Sequence, residues 1–150
     1  MINIGIIGGA GYTAGELLRI LIHHPQANIV FVQSSSNNGE AVTKVHTDLI
    51  GETTLAFTEM DLNAVDVIFL CSGHGKAKEF MAKNKVPKQV KVIDLGNDFR
   101  LNKDADDFIY GLPEAFKEDI KKAQHIANPG CFATAIQLGL LPLAANGLLN

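Results

Sequence analysis

The sequence is short of the features that would make a secreted, membrane-spanning or nucleic-acid-binding protein. It has two cysteines in 150 residues, Cys71 and Cys131, and no disulfide-dense framework. Reduced thiols and a cytoplasmic setting follow from that scarcity. No apolar run approaches the roughly 18 residues that a spanning helix needs, so no membrane partner is expected. The first residues, Met1-Ile2-Asn3-Ile4, lack a basic leader and read as a strand, not as a signal peptide. Positive charge is scarce too. The net charge is −3, and basic residues occur only in short pairs such as Lys121-Lys122, which argues against nucleic acid. There is no internal repeat and no low-complexity stretch.

What remains is the composition of an ordinary folded domain, with 47% hydrophobic and 19% charged residues. A chain of this length buries about 70% of its unfolded surface, enough for a real core in one domain. Short apolar runs alternate with helical patterns along the chain. That alternation predicts an α/β fold of the Rossmann-like, doubly wound type, with a mostly parallel sheet and helices on both faces.

Strands are expected at Ile2 to Gly8, Asn28 to Gln33, Val65 to Cys71, Lys91 to Leu95 and Gln124 to Ala127, with Thr53 to Thr58 as a further edge strand. Helices are expected from Thr13 to His23, after Gly75 with Ala77, Phe80 and Met81 inward, and from Pro113 to Lys122. A last helix follows Cys131, with an apolar stripe of Ile136, Leu140, Leu143 and Ala144. Pro142 should kink or split it. The charged segment Lys103 to Asp107 reads as a surface loop.

The first chemical signal is a glycine cluster between the first strand and the first helix. Gly9-Ala10-Gly11-Tyr12-Thr13-Ala14 fits G-x-G-x-x-A, and the run from Gly8 fits G-x-x-G-x-x-A. A pyrophosphate must approach backbone N–H groups at a helix N-terminus, and a Cβ at the closest positions would hold it off. Such a match is weak alone but gains weight directly after a first strand. At the end of the second strand an NAD enzyme usually carries an acidic residue for the ribose hydroxyls. Here stands Gln33-Ser34-Ser35-Ser36-Asn37-Asn38. Hydroxyls and amides without a carboxylate favour NADP, although no arginine is present there to clamp the extra phosphate.

The second signal is Cys131, which follows Pro129-Gly130 at a helix start. A thiol there meets the positive end of the helix dipole and free N–H donors, which favours the thiolate. A buried structural cysteine is the plain alternative. Cys71 ends an apolar strand and reads as core. Cys71-Ser72-Gly73-His74 has C-x-x-H spacing, but no second ligand pair accompanies it, so no metal site is expected. His74 is better placed near the cofactor. His23, His24, His46 and His125 carry no specific signal. Arg100, after a strand end, could clamp a phosphoryl group or form an ion pair with Asp98 or Asp104.

These pieces resemble the N-terminal part of the N-acetyl-gamma-glutamyl-phosphate reductases of arginine biosynthesis. The resemblance is carried by GGAGYTAGELL from Gly8, DVIFL from Asp66, VIDLGNDFRL from Val92, YGLPE from Tyr110 and ANPGCFAT from Ala127. Aspartate-semialdehyde dehydrogenases share the architecture but look less similar around Tyr110 and Cys131. The resemblance implies an NADPH-dependent oxidoreductase with Cys131 as catalytic nucleophile. It implies that Gly8, Gly9, Gly11, Tyr12 and Thr13 hold the pyrophosphate, and that Ser34 and Ser36 lie near the ribose phosphate. His74 would lie near the cofactor, and Arg100 and Asn128 would border a small acyl-phosphate substrate. It also implies a homo-oligomer as the full-length enzyme, with a histidine-bearing substrate domain absent from these 150 residues. Three departures affect loops: Gly73 stands before His74-Gly75 where proline is usual, Thr47 replaces a proline after His46, and the segment from Arg100 to Tyr110 is short. The rival expectations are a non-catalytic NADP-binding or redox-sensing module, separated by thiol reactivity, and a purely structural domain, separated by failure to bind NADPH or NADH.

Overall fold

The computed structural model describes residues 1–149. Six strands form one sheet: β1 (Ile2–Ile7), β2 (Ala27–Gln33), β3 (Val67–Leu70), β4 (Lys91–Asp94), β5 (Phe108–Tyr110) and β6 (His125–Ala127). Four α-helices accompany them: α1 (Tyr12–Leu21), α2 (Lys76–Lys83), α3 (Pro113–Lys122) and α4 (Cys131–Ala145). The strand order is β2-β1-β3-β4-β6-β5. Every pairing is parallel, so the sheet is wholly and not mostly parallel.

The order explains how the two faces are covered. From β1 the chain steps outward to β2, and from β3 it steps the other way to β4. Right-handed crossovers in opposite directions put α1 and α2 on opposite faces. Alternating side chains of the strands feed the two layers accordingly. Ile4 and Ile6 pack with Ala14, Leu18 and Leu21 of α1. Ile7, Ile68 and Leu70 pack with Ala77, and Phe80 and Met81 lie against the same cluster, as their spacing predicts.

Four expectations need correction. Thr53 to Thr58 is not a strand. It touches its neighbours only through isolated bridges, Phe57 to Val32 and Ala56 to Ala41. Phe57 is fully buried, so the segment acts as a packed lid over the α1 layer. The strand β5 was not anticipated, because a three-residue strand has too little pattern of its own. It exists through pairing with β6 and through Phe108 stacking on Phe99 at 3.9 Å between centroids. Pro142 does not split α4, which runs on to Ala145. The proline sits in the last turn and forfeits a single N–H···O bond there, while Asn146 Nδ2 donates to its carbonyl at 2.7 Å. Finally, no residue of α4 is buried among the described residues. Its stripe is open: Ile136 is 58% exposed, and Leu140 and Leu143 are also exposed.

No helix among the described residues is long and apolar enough to cross a membrane. Because the strands are all parallel, their carboxyl ends, and every loop that leaves them, share one rim. That rim is where open α/β sheets bind ligands, and β1/β3 is the point at which the winding reverses.

Candidate active site

The glycine turn leaves β1 at the switch point. Gly8 has φ of +79°, a left-handed conformation that side chains rarely adopt, and a Cβ there would lie 2.7 Å from the Ser72 nitrogen. Gly9 is tight for a different reason. Its N–H donates to the Gln33 carbonyl at 2.7 Å, and a Cβ would lie 2.3 Å from Val32 Cγ1. Gly9 therefore ties the turn to β2, while Gly11 forms the entrance to α1. The helix has no side-chain cap among the described residues and no acidic residue in its first turn. The backbone donors of its first turn have no helical partner, and the positive end of the dipole is left uncompensated. Tyr12 and Thr13 flank that end and are exposed.

One bond that holds this turn was not legible beforehand. His46 is buried, and its Nε2 donates to the Gly9 carbonyl at 2.8 Å. A trans peptide directs its C=O and N–H to opposite sides, so anchoring the Gly9 carbonyl aims the Ala10 N–H away from the imidazole. The partners are 37 residues apart in sequence.

Beside the turn lies a cavity of about 380 Å³. Gly8 and Gly11 form one side of it, Ser34 to Ser36 another, and Ser72 and Lys76 a third. The serines are pre-arranged. Asn37 Nδ2 donates to Ser34 Oγ at 3.0 Å and to Ser36 Oγ at 2.9 Å. Each hydroxyl accepts a bond and keeps its own proton to donate. No carboxylate lines the cavity among the described residues. A strained glycine at closest approach, an uncapped helix start, free hydroxyl donors and one cation are what a dinucleotide phosphate needs. A larger hollow of about 600 Å³ lies between the end of α1, the start of β2 and Gly51–Leu55, at the amino end of the strand and away from this chemistry.

Cys71 lies between the turn and the cavity yet is chemically quiet. It is buried, and burial pushes its thiol up to about 12, against a smaller opposing effect of a hydrogen bond with Thr13. Core packing was the expected role. Cys131 is the opposite case. It is exposed and is the first residue of α4, with Gly130 before it. This helix start, too, has no side-chain cap among the described residues and no acidic residue in its first turn.

The loop that delivers Cys131 is held from the neighbouring strand. Asn128 N donates to the Asp94 carbonyl at 2.8 Å. Arg100 Nε donates to the Asn128 carbonyl at 2.8 Å and Nη2 to the Leu95 carbonyl at 3.0 Å, while Nη1 packs on Gly130. The ion pair considered for Arg100 is absent among the described residues. Its supposed partners are engaged elsewhere: Asp98 accepts from the N–H groups of Gly75 and Lys78, and Asp104 pairs with Lys78 Nζ at 3.3 Å. Asp98 thus caps α2. His74 is exposed in the loop between Gly73 and Gly75, which both have positive φ.

The structure therefore gathers all the sequence-derived residues at one rim, in two groups. Gly8, Gly11, Ser34 and Ser36 line the cavity, Gly9 anchors the turn to β2, and Tyr12 and Thr13 are exposed at the adjoining start of α1. Arg100, Asn128 and Cys131 form a second group beyond β3 and β4. Three inter-strand steps separate β1 from β6 in the sheet order, or about 14 Å at the usual spacing. His74 leaves β3 between the groups. Sequence reasoning missed Ser72, Lys76 and the brace at His46.

Comparison with known proteins gives the class first. Residues 3–123 match the family described as semialdehyde dehydrogenase, NAD binding domain, and the chain belongs to that family. More particularly, it is 58% identical over its whole length to an N-acetyl-gamma-glutamyl-phosphate reductase of Flavobacterium johnsoniae and 57% identical to one of Bacteroides thetaiotaomicron. It spans 47% of the length of each of these relatives. Among solved structures, an aspartate semialdehyde dehydrogenase with NADP from Candida albicans shares the fold with a TM-score of 0.76 at 16% identity. The match covers 99% of this chain and 48% of that one. Aspartate semialdehyde dehydrogenase II from Vibrio cholerae, complexed with ASA, gives 0.74 at 20% identity, covering 97% of this chain and 47% of that one.

Proposed function

We propose that this chain is the cofactor-binding N-terminal part of an NADPH-dependent N-acetyl-gamma-glutamyl-phosphate reductase, a cytoplasmic and homo-oligomeric enzyme of arginine biosynthesis. The observation that carries the reading is an exposed cysteine at an uncapped helix start, on the rim that also holds the uncapped glycine turn. A thiol in that position is accessible to a substrate, and the open helix end favours anions beside it.

The Cys131 sulfur attacks the acyl carbon of the acyl phosphate. The carbon–sulfur bond forms, the bond from carbon to the phosphate oxygen breaks, and inorganic phosphate leaves. The product of this half-reaction is a thioester on Cys131. NADPH, which the Gly8–Thr13 turn and the Ser34 and Ser36 hydroxyls would hold, would supply the hydride for the reduction. The carbon–sulfur bond then breaks to give the semialdehyde and free the Cys131 sulfur at the α4 N-terminus. Arg100 fixes the carbonyls on either side of this step and so holds the loop that aims the sulfur. Asn128 borders the acyl group from the same loop. The resemblance assigns to a histidine of the substrate domain the acid/base role of protonating the carbonyl oxygen on reduction and taking that proton back as the carbon–sulfur bond breaks.

The nucleophile assignment is tested by Cys131→Ser in the full-length enzyme. Turnover should fall by at least about a thousandfold, as expected when a nucleophile is removed, while the NADPH Kd stays within about twofold. Without NADPH, the wild type should release about one phosphate per Cys131 in a single burst, and the variant none. A variant that turns over within tenfold of wild type removes Cys131 from the mechanism.

A further inference from the structure

NADPH differs from NADH by one phosphate on the adenosine ribose. A dianion of that kind calls for hydroxyl or amide donors and a cation, with no carboxylate beside them. The loop after β2 carries the hydroxyls but has neither lysine nor arginine between Ser34 and Gly39. The cation comes from a different strand end. Lys76, the first residue of α2, is the only charged side chain among those described on the wall of the 380 Å³ cavity, which it shares with Ser34, Ser35 and Ser36.

We propose that Lys76 recognises the 2′-phosphate of the cofactor, acting across this cavity together with the Ser34 and Ser36 hydroxyls. The assignment presupposes the NADPH reading given above and adds to it the residue that sets the preference over NADH.

Four features support it. Asn37 occupies lone pairs of both hydroxyls and leaves their protons free to donate to a phosphate oxygen. Lys76 can leave its present partner without stranding a carboxylate. Its Nζ lies 3.0 Å from Glu79 Oε2, but Lys83 Nζ holds Glu79 Oε1 at 2.7 Å and stays. The Lys76 side chain is 60% exposed, so its stem is free to turn toward the cavity. Finally, the α2 helix end does not compete for the anion, because Asp98 already accepts from the Gly75 and Lys78 N–H groups.

The test is calorimetric titration of the full-length protein with NADPH and, separately, NADH. Wild type should prefer NADPH. Lys76→Met keeps most of the stem and loses the charge. It should raise the NADPH Kd about tenfold, the scale of one charge-assisted hydrogen bond, and leave the NADH Kd within about twofold. Lys76→Arg should retain the preference. Equal losses for both cofactors would mean contact with the pyrophosphate they share and would overturn the proposal, as would no loss for either. A wild type that prefers NADH or binds neither would overturn the NADPH reading together with it.

Discussion

The carboxyl group of Asp94 ends β4 with 1% of its surface exposed. One oxygen accepts from the Gly96 N–H at 2.7 Å, and the other has no partner among the described residues. Burial raises its pKa above the usual carboxylate value. The Gly96 bond opposes that, the nearby Asp98 charge adds to it, and Arg100 and His74 oppose it. The consequence for stability has a definite sign. The native state holds this proton more tightly than the unfolded chain, so stability is lost as pH rises from the ordinary Asp value of about 3.9 toward the raised one. Asparagine cannot ionise. The melting temperature of Asp94→Asn relative to wild type should therefore climb as pH rises above the ordinary Asp value of about 3.9. A difference that stays flat above that value would show that Asp94 ionises as easily folded as unfolded. The two cysteines make the same point about environment. Cys71 was legible as core from its apolar strand, whereas the position of Cys131 left a reactive thiol and a buried structural cysteine both open, and the structure exposes it.

At the scale of elements, all four helices start at this rim, and among the described residues only α2 is capped by a side chain. Starts α1 and α4 are left open by glycine, whereas α2 receives Asp98 from the loop after β4. Removing that carboxylate by Asp98→Ala should cost about 1 kcal/mol, the usual worth of a helix cap. Faster amide exchange should appear in Lys76–Lys83 before the sheet is affected. Unchanged exchange in α2 would sink the capping role. Elements with strong periodicity or buried apolar runs, such as α1, β1 and β4, could be read from the sequence to within a few residues. The misses share a cause. Strand β5, the His46 bond to Gly9, the Asp98 cap and Lys76 at the cavity all depend on partners far along the chain, and no local pattern encodes such a meeting. Pro142 was read as a break by a rule for helix interiors, but it falls in the final turn, where only one bond is at stake.

For the molecule as a whole, two hydrophobic layers flank the sheet, and the candidate site residues lie along its carboxyl rim. The proposed cofactor side of the site is built from residues of this chain, whereas the proposed acid/base histidine is not. Residues 1–150 expressed alone should accordingly bind NADPH without reducing an acyl phosphate. At a ligand concentration a hundred times Kd, binding should stabilise the fold by about 2.7 kcal/mol, seen as a higher melting temperature. Measurable reduction by these residues alone would mean that the proton donor lies within them.

Helix α4 carries its sulfur at the tip and hydrocarbon along its shaft, with Ile136, Leu140 and Leu143 uncovered. A rigid rod is steered by whatever grips its length. Any surface that settles on those side chains therefore turns the tip as well, and a small rocking of the shaft becomes a change in the angle from which the thiol meets its target.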